Sequence, residues 1–333
     1  MKYIPAASDE SMEPMKISKN WDDKPFFPIS SYYKQTFGEK VYKITVSVAK
    51  TCPHRLKQDD HKGCIFCDEW GAAGHHLMKI GPLKEQIIIN REKLSKRYRV
   101  NKFLVYFQPY TNTYTDLDKL VKNIELSIQQ DQVAGIVIGT RPDCLPEELF
   151  PVLKELSQKT FVSIELGVQS FSDQHLLFLN RRHTVSDSVE AIKNLKEKSG
   201  VNVGIHLMFG LPDESEDFII ESANKINQLG IDSVKLHNLH VLTNTPLEKM
   251  YQDGTFEPVE LEPYAEKVIT FLKYLSPEIA IQRLAAVAAR WDELVAPRWT
   301  KERMRPSQFI QSQMIKNNFY QGMCFQKKQN CLR

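Results

Sequence analysis

The apolar positions of this chain change period repeatedly, and each change marks an element. Residues 41–48 alternate apolar and polar and are rich in β-branched side chains, which predicts a strand. Leu83, Ile87 and Leu94, with charges between them, predict a helix, and residues 103–107 a buried strand. Thr115 is placed to cap the next helix, where Leu117, Leu120, Val121, Ile124 and Ile128 keep a 3.6-residue period. A strand over 134–139 follows, and Pro146 opens a helix carrying Leu149, Val152, Leu153 and Leu156. The alternation runs on through strands at 161–166, 201–208 and 233–236, with helices near 176–179 and over 185–198 and 216–229. Beyond Tyr251 it loosens to a helix over about 260–275, a short strand near Ile279 and a polar C-terminal segment.

Short strands apolar on both faces and separated by helices mean a parallel sheet covered by helices. About six such units fit between residues 41 and 240, fewer than the eight that close a barrel. The expected fold is therefore α/β: a partial (β/α)6 TIM-like barrel, with an open doubly wound sheet as the alternative. In both, chemistry sits beyond the C-terminal ends of the strands. The expected layout is a flexible N-terminal extension over 1–24, the barrel over 25–285 and a small C-terminal extension over 286–333. Phe26, Phe27, Tyr32, Tyr33 and Phe37 crowd the start of the barrel. They offer a stacking surface for bases or packing against the first strand, and the area they would bury favours packing.

Composition adds bounds. With 333 residues, 42% hydrophobic and 26% charged, the chain has material for a large core. A net charge of +3 permits a nucleic-acid partner without demanding one. No run of about 18 apolar residues is present, so no membrane span is expected, and the N-terminus lacks an apolar signal core. Six unevenly spaced cysteines do not make a disulfide scaffold, and a reducing cytoplasm is the expected location.

Three of the six cysteines, Cys52, Cys64 and Cys67, fall on one loop after the first strand, ending near a turn at Gly71 to Gly74. Thiolates suit iron and zinc, and a Cys-x2-Cys turn brings two sulfurs to one centre. A closed structural site takes four protein ligands, so three leave a four-iron cluster with one iron open. A zinc site completed by His54, His61, His75 or His76 is the alternative on this segment alone. The remaining strand ends carry polar side chains in series. Gln108 and Tyr110 follow the second strand, and Arg141, Asp143 and Cys144 the third; Glu165 lies within the fourth and Gln169 ends it. Arg181 comes next, then Gly210 after the fifth strand and His237 and His240 after the sixth. Any one of these reads as a capping group or a solvated charge. Their joint placement at one face of a barrel reads as an active site.

Several segments together resemble the radical S-adenosylmethionine (SAM) superfamily, and within it the YhcC/YtqA type related to the catalytic subunit of elongator. They are Cys52-x11-Cys64-x2-Cys67, residues 106–113 (Tyr-Phe-Gln-Pro-Tyr-Thr-Asn-Thr), 139–144 (Gly-Thr-Arg-Pro-Asp-Cys), 165–170 (Glu-Leu-Gly-Val-Gln-Ser), 235–241 and 296–299. The resemblance spans roughly residues 25–300. It implies a 4Fe–4S cluster held by Cys52, Cys64 and Cys67, with SAM bound at the open iron through its amine and carboxylate. It further implies one-electron cleavage of SAM to a 5′-deoxyadenosyl radical, and an electron donor such as flavodoxin or ferredoxin. Gln169 and Arg181 match a Gln-x11-Arg pair that contacts SAM in related enzymes, and Gly210 would let the backbone approach adenine. Where the elongator subunit has a glutamate this chain has Gly139, so a carboxylate for the ribose must come from elsewhere, Glu165 or Asp143. The roughly 50 residues after Arg283 cannot hold elongator's acetyltransferase domain.

Kinship with elongator points to tRNA as partner and to the C5 substituent of wobble uridine as target. Removal of the carboxymethyl group from 5-carboxymethylaminomethyluridine suits hydrogen abstraction beside nitrogen, with His237 and His240 managing protons. Cys144 is a candidate substrate-contacting thiol, with small-side-chain burial the alternative. Cys324 and Cys331 lack further ligands for a second metal site. Two rivals stay open at this point: radical chemistry on a peptide or small metabolite, and a non-catalytic zinc-bearing RNA-binding protein.

Overall fold

The computed structural model describes residues 21–56, 63–68, 81–288 and 290–326. The predicted turn at Gly71 to Gly74, His61, His75, His76 and Cys331 lie outside them, as does most of the N-terminal extension.

Seven strands form one parallel sheet: β1 (Val41–Val46), β2 (Lys102–Phe107), β3 (Val133–Thr140), β4 (Phe161–Gln169), β5 (Asn202–Phe209), β6 (Ser233–Asn238) and β8 (Ala280–Arg283), paired in that order. The first and last strands do not pair with each other, so the barrel is open between them. The sheet nonetheless curls far enough for the ends to meet through side chains. Lys43 Nζ on β1 donates to Gln282 Oε1 on β8 at 2.8 Å. Strand β8 is the predicted short strand near Ile279, joined in parallel to β6 as a seventh member.

Strand alternation divides the side chains. Outward positions such as Ile44, Phe103, Val105, Ile136, Ile164 and Val203 are fully buried under the helices and form the main core. Those helices are α3 (Leu83–Tyr98), α4 (Leu117–Ile128), α5 (Leu149–Lys159), α7 (Val185–Asn194), α8 (Glu216–Leu229) and α10 (Leu261–Tyr274); α2 (Pro53–Leu56) and α6 (Asp173–Phe178) are short. Burying a side chain of this size is worth about 1.5–3 kcal/mol. The cap of α4 is Asp116, whose side chain accepts from the Lys119 amide at 3.0 Å, one residue beyond the expected Thr115. The aromatic segment becomes helix α1 (Ile29–Phe37), and Tyr33 packs on Val41, Leu104, Tyr106 and Val137 at the strands' N-terminal end. Packing, not base stacking, is what these rings do.

The chain after β8 returns over the C-terminal ends of the strands. β7 (Val241–Leu242) pairs antiparallel with β9 (Leu294–Ala296), and the Ala286 amide donates to Asn238 Oδ1 at 2.8 Å. Between them Arg290, 1% exposed in its side chain, forms ion pairs with Asp68 beside Cys67 and with Glu293 at 2.8 Å. Short helix α9 (Pro246–Gln252) follows β7. Helix α11 (Arg305–Lys316) sets Ile310 and Met314 into the main core where only a polar segment was expected.

Candidate active site

Cys52 leaves the barrel just after β1, and the Cys64–Cys67 turn is held from two sides. The Cys67 amide donates to the Cys64 carbonyl at 3.0 Å, the Ile65 amide to the Leu179 carbonyl at 3.2 Å and the Leu247 amide to the Ile65 carbonyl at 3.0 Å. Asn180 Nδ2 donates to the Gly63 carbonyl at 2.8 Å. The aromatic residue before the last cysteine, Phe66, packs with Ile65 against Leu179, Met208 and Leu239. All three cysteines line a single cavity over the strand ends.

Each sulfur has a donor near it. Thr111 Oγ1 donates to Cys52 Sγ at 3.1 Å, Arg181 Nη1 to Cys64 Sγ at 3.2 Å, and Arg55 Nη2 lies 3.7 Å from Cys67 Sγ. Burial raises the Cys52 thiol and, with the adjacent Cys64, pushes Cys67 up to about 12. Thiols buried in this way lose their protons to a bound metal. Among the described residues no three His, Cys, Asp or Glu come close enough to share one metal ion. A cubane cluster spreads its thiolates over separate iron corners, so three cysteines around one cavity suit a cluster better than a single zinc.

The wall beside the cysteines carries Gln108, Tyr110, Gln169 and Arg181. Tyr110 and Gln169 hold positive φ, +64° and +69°, a strained conformation for non-glycine residues that clusters at functional sites. Arg181 Nη2 donates to the Gly167 carbonyl at 2.7 Å, and a Cβ at Gly167 would come within 2.8 Å of Gln169 Nε2. Arg181 Nε is buried and finds no partner among the described residues. An orphaned guanidinium N–H next to a three-thiolate loop is what a site for a carboxylate-bearing cofactor needs.

Deeper in, the cavity is polar. Glu165, 0% exposed in its side chain, pairs with Lys43, with His206 Nε2 at 2.7 Å and with Lys235 Nζ at 3.4 Å. Burial opposes its charge, yet Lys43, Lys235 and His206 together hold the carboxyl well below the ordinary range. Burial lowers His206 and His240 to about 4 and takes His237 well below its ordinary value, so all three are neutral at pH 7. His237 accepts from Arg283 Nη2 (2.6 Å to Nδ1), while His240 Nδ1 has no partner among the described residues.

The structure brings together Cys52, Cys64, Cys67, Gln108, Tyr110, Glu165, Gln169, Arg181, His237 and His240 around this cavity. Asp143, Cys144 and Gly210 are not among its lining. Asp143 pairs with Arg141 (2.9 Å) and, with Cys144, borders a separate hollow beside Pro53 and Thr113. The Gly210 amide donates to Glu214 at 2.8 Å, and a Cβ there would fall 2.4 Å from Val259, so its φ of +87° serves a close approach of protein to protein. Lys43, His206, Lys235 and Arg283 were not foreseen. The available signal was a charge or imidazole inside a strand otherwise apolar on both faces, which has to be paired once buried.

Two family models match the chain: "Radical SAM superfamily" over residues 46–245 and "Radical_SAM C-terminal domain" over 231–316. The chain belongs to the radical SAM superfamily. It is 30% identical over 305 residues to YtqA of Bacillus subtilis, covering 92% of this chain and 94% of that one. The tRNA uridine(34) acetyltransferase of Methanocaldococcus infernus is 33% identical over 148 residues, 43% of this chain and 27% of its own length. The fold matches a solved Elp3 of Methanocaldococcus infernus with a TM-score of 0.63 at 19% identity, over 84% of this chain and 64% of that one. The protein is thus a radical SAM enzyme, and its cofactors are those of the family, a 4Fe–4S cluster and SAM. A non-catalytic zinc protein is excluded by that membership. No helix among the described residues is long and apolar enough to cross a membrane.

Proposed function

We propose that this radical SAM enzyme acts on tRNA at the C5 substituent of wobble uridine, converting 5-carboxymethylaminomethyluridine to 5-aminomethyluridine. The observation that carries the reading is the single cavity that joins the three cysteines to a basic interior. The chain's partial likeness to a tRNA uridine(34) acetyltransferase supports the choice of nucleotide. Cys52, Cys64 and Cys67 would hold the cluster, and Gln108, Tyr110, Gln169 and Arg181 would hold SAM, with Arg181 on its carboxylate. When bound, cluster and SAM supply an electron and a radical that takes a hydrogen atom from the substrate. On the carboxymethylaminomethyl group, hydrogen loss from the methylene between nitrogen and carboxylate leaves a radical stabilised by both neighbours. Transfer of its electron to an acceptor of the iron–sulfur or flavin class gives an imine. Water adds to that C=N bond, the C–N bond breaks, and glyoxylate leaves the aminomethyl product. Neutral His240, which lines the cavity, would accept a proton from the attacking water. Arg283 occupies His237, which then fixes the guanidinium.

Mass spectrometry of nucleosides from the tRNA of a deletion strain tests the substrate. Accumulated 5-carboxymethylaminomethyluridine and absent 5-aminomethyluridine are expected; an unchanged nucleoside profile moves a peptide or metabolite substrate ahead. Arg181→Ala should weaken SAM binding by about 1.5–3 kcal/mol, the scale of a hydrogen bond to a charged group, at unchanged iron content. Equal SAM affinity in the clustered variant removes Arg181 from the SAM site.

The RNA surface is expected on the returning C-terminal segment. Arg298, Lys301, Arg303 and Arg305 are exposed there, as are Trp291 (60%) and Met304 (65%), while Trp299 anchors the segment by donating to the Val259 carbonyl at 3.1 Å. Lys93, Lys96, Arg97 and Arg99 sit at the end of α3 that feeds β2, opposite the strand C-termini, and are solvated. Replacing Lys301, Arg303 and Arg305 together by alanine should lower tRNA affinity and flatten its salt dependence by up to about three phosphate contacts. An unchanged salt slope would reject this segment as the contact.

A further inference from the structure

Charge does not balance at the inner end of the cavity. Among the described residues its charged lining is Arg55, Arg141, Glu165, Arg181, Lys235 and Arg283. Arg141 is paired with Asp143, and Arg55 and Arg181 face the Cys67 and Cys64 sulfurs. Lys235 and Arg283 stand apart from these, paired with each other in the β6–β8 register. The carboxylate beside them is Glu165, which Lys43 and His206 already hold. Arg283 donates to the Leu236 carbonyl at 3.2 Å and to the His237 ring, and has no carboxylate partner among the described residues. The three histidines bring no charge. Lys43 and Lys235 therefore share the one carboxylate and Arg283 has none, an arrangement that is costly until an anion completes it. Burial, reinforced by Arg283 and Lys43, brings the Lys235 ammonium down to about 8 despite Glu165.

We propose that Lys235 and Arg283 form a seat for a carboxylate of the substrate at the inner end of the cavity. A guanidinium with free N–H groups receives a carboxylate through two parallel hydrogen bonds, and an ammonium adds a second point of attachment. Tyr106 Oη accepts from Lys235 Nζ at 3.2 Å and fixes its direction. The identity of the ligand rests on the reading above: a C5 carboxymethylaminomethyl group ends in a carboxylate, whereas the phosphates of a flipped nucleotide stay with the backbone outside. The seat also separates substrate from product. Cleavage removes the carboxylate as glyoxylate and leaves an amine without it, so the pair that holds the substrate has no anion left to hold on the aminomethyl product.

Calorimetry on the full-length protein, reconstituted with cluster and SAM, tests the seat with two acid–ester pairs. They are N-benzylglycine against its methyl ester, and the nucleoside 5-carboxymethylaminomethyluridine against its methyl ester. The wild type should bind each acid at least tenfold more tightly than its ester. Arg283→Gln and Lys235→Met should each erase most of that preference, and Arg283→Lys should keep part of it. Equal binding of acid and ester by the wild type, or no binding of either acid, overturns the seat, and needs no variant to fold. So does an unchanged preference in both Arg283→Gln and Lys235→Met. A parallel loss of SAM affinity assigns these residues to the SAM carboxylate and also overturns it. Discrimination on N-benzylglycine without binding of either nucleoside keeps the seat and discards wobble uridine. Conversion of tRNA by wild type and variants at equal KM keeps wobble uridine and discards the seat.

Discussion

Replacing Cys52, Cys64 or Cys67 singly by alanine is expected to abolish reductive cleavage of SAM. If these three sulfurs hold the family's 4Fe–4S cluster as proposed, a site reduced to two protein ligands would lack the affinity to retain it. Iron and acid-labile sulfide should fall together with activity, since burial keeps the Cys52 and Cys67 thiols protonated unless a metal takes the proton's place. Cys324→Ala is the control: its amide is tied to the Lys273 carbonyl at 2.8 Å and the residue lies outside the cavity lining. Thr111→Ala should show a graded loss, roughly 10–100-fold in cluster occupancy, because its hydroxyl supports Cys52 from the second layer. A single cysteine variant that retained full cleavage would reject the site.

Much of the barrel was legible because its strands and helices obey two clean periods. The helix over 216–229 and the strand beginning at Ser233 fall where the apolar spacing put them. Pairing of the two-residue β7 with the three-residue β9 was not legible, because segments so short carry no period and are defined by their partner. Helix α11 was missed because its three buried residues, Pro306, Ile310 and Met314, are too few to stand out in a polar stretch. At the site, strand ends pointed to Gln108, Tyr110, Gln169 and Arg181, and all four line the cavity. Asp143 and Cys144 also follow a strand but do not line this cavity, because the β3 loop turns them behind Arg141, whose guanidinium faces both Asp143 and the Arg181 carbonyl. The inner network of Lys43, His206, Lys235 and Arg283 lies within strands rather than at the start of the loops after them, so strand ends alone do not point to it. Within a strand, a charge amid apolar neighbours is the stronger signal of an inward-facing residue.

Glu165→Ala is expected to destabilise the fold by about 3–5 kcal/mol, the cost of leaving a buried charge without its partner. It is the carboxylate that Lys43, Lys235 and His206 share, and its side chain is fully buried. The loss should appear as a lower urea midpoint at unchanged slope. Because the folded carboxyl titrates well below its ordinary range, this contribution is complete above the unfolded value of about 4.3 and disappears only as pH falls toward the folded value. Lys43→Met in the same chain should restore much of the midpoint, since it removes the ammonium that Glu165 neutralises; contacting pairs of this kind are not additive. The stabilised Glu165→Ala, Lys43→Met chain then decides what else Glu165 does. If its carboxylate serves the ribose of SAM, the double variant folds but binds SAM at least tenfold more weakly, a loss of about 1.4 kcal/mol or more. If Lys43 and His206 hold both oxygens in the working enzyme as they do here, SAM affinity is unchanged and the ribose hydroxyls are met by other groups. The geometry favours the second outcome, because a carboxylate already paired with three side chains would have to give one up to reach a ligand.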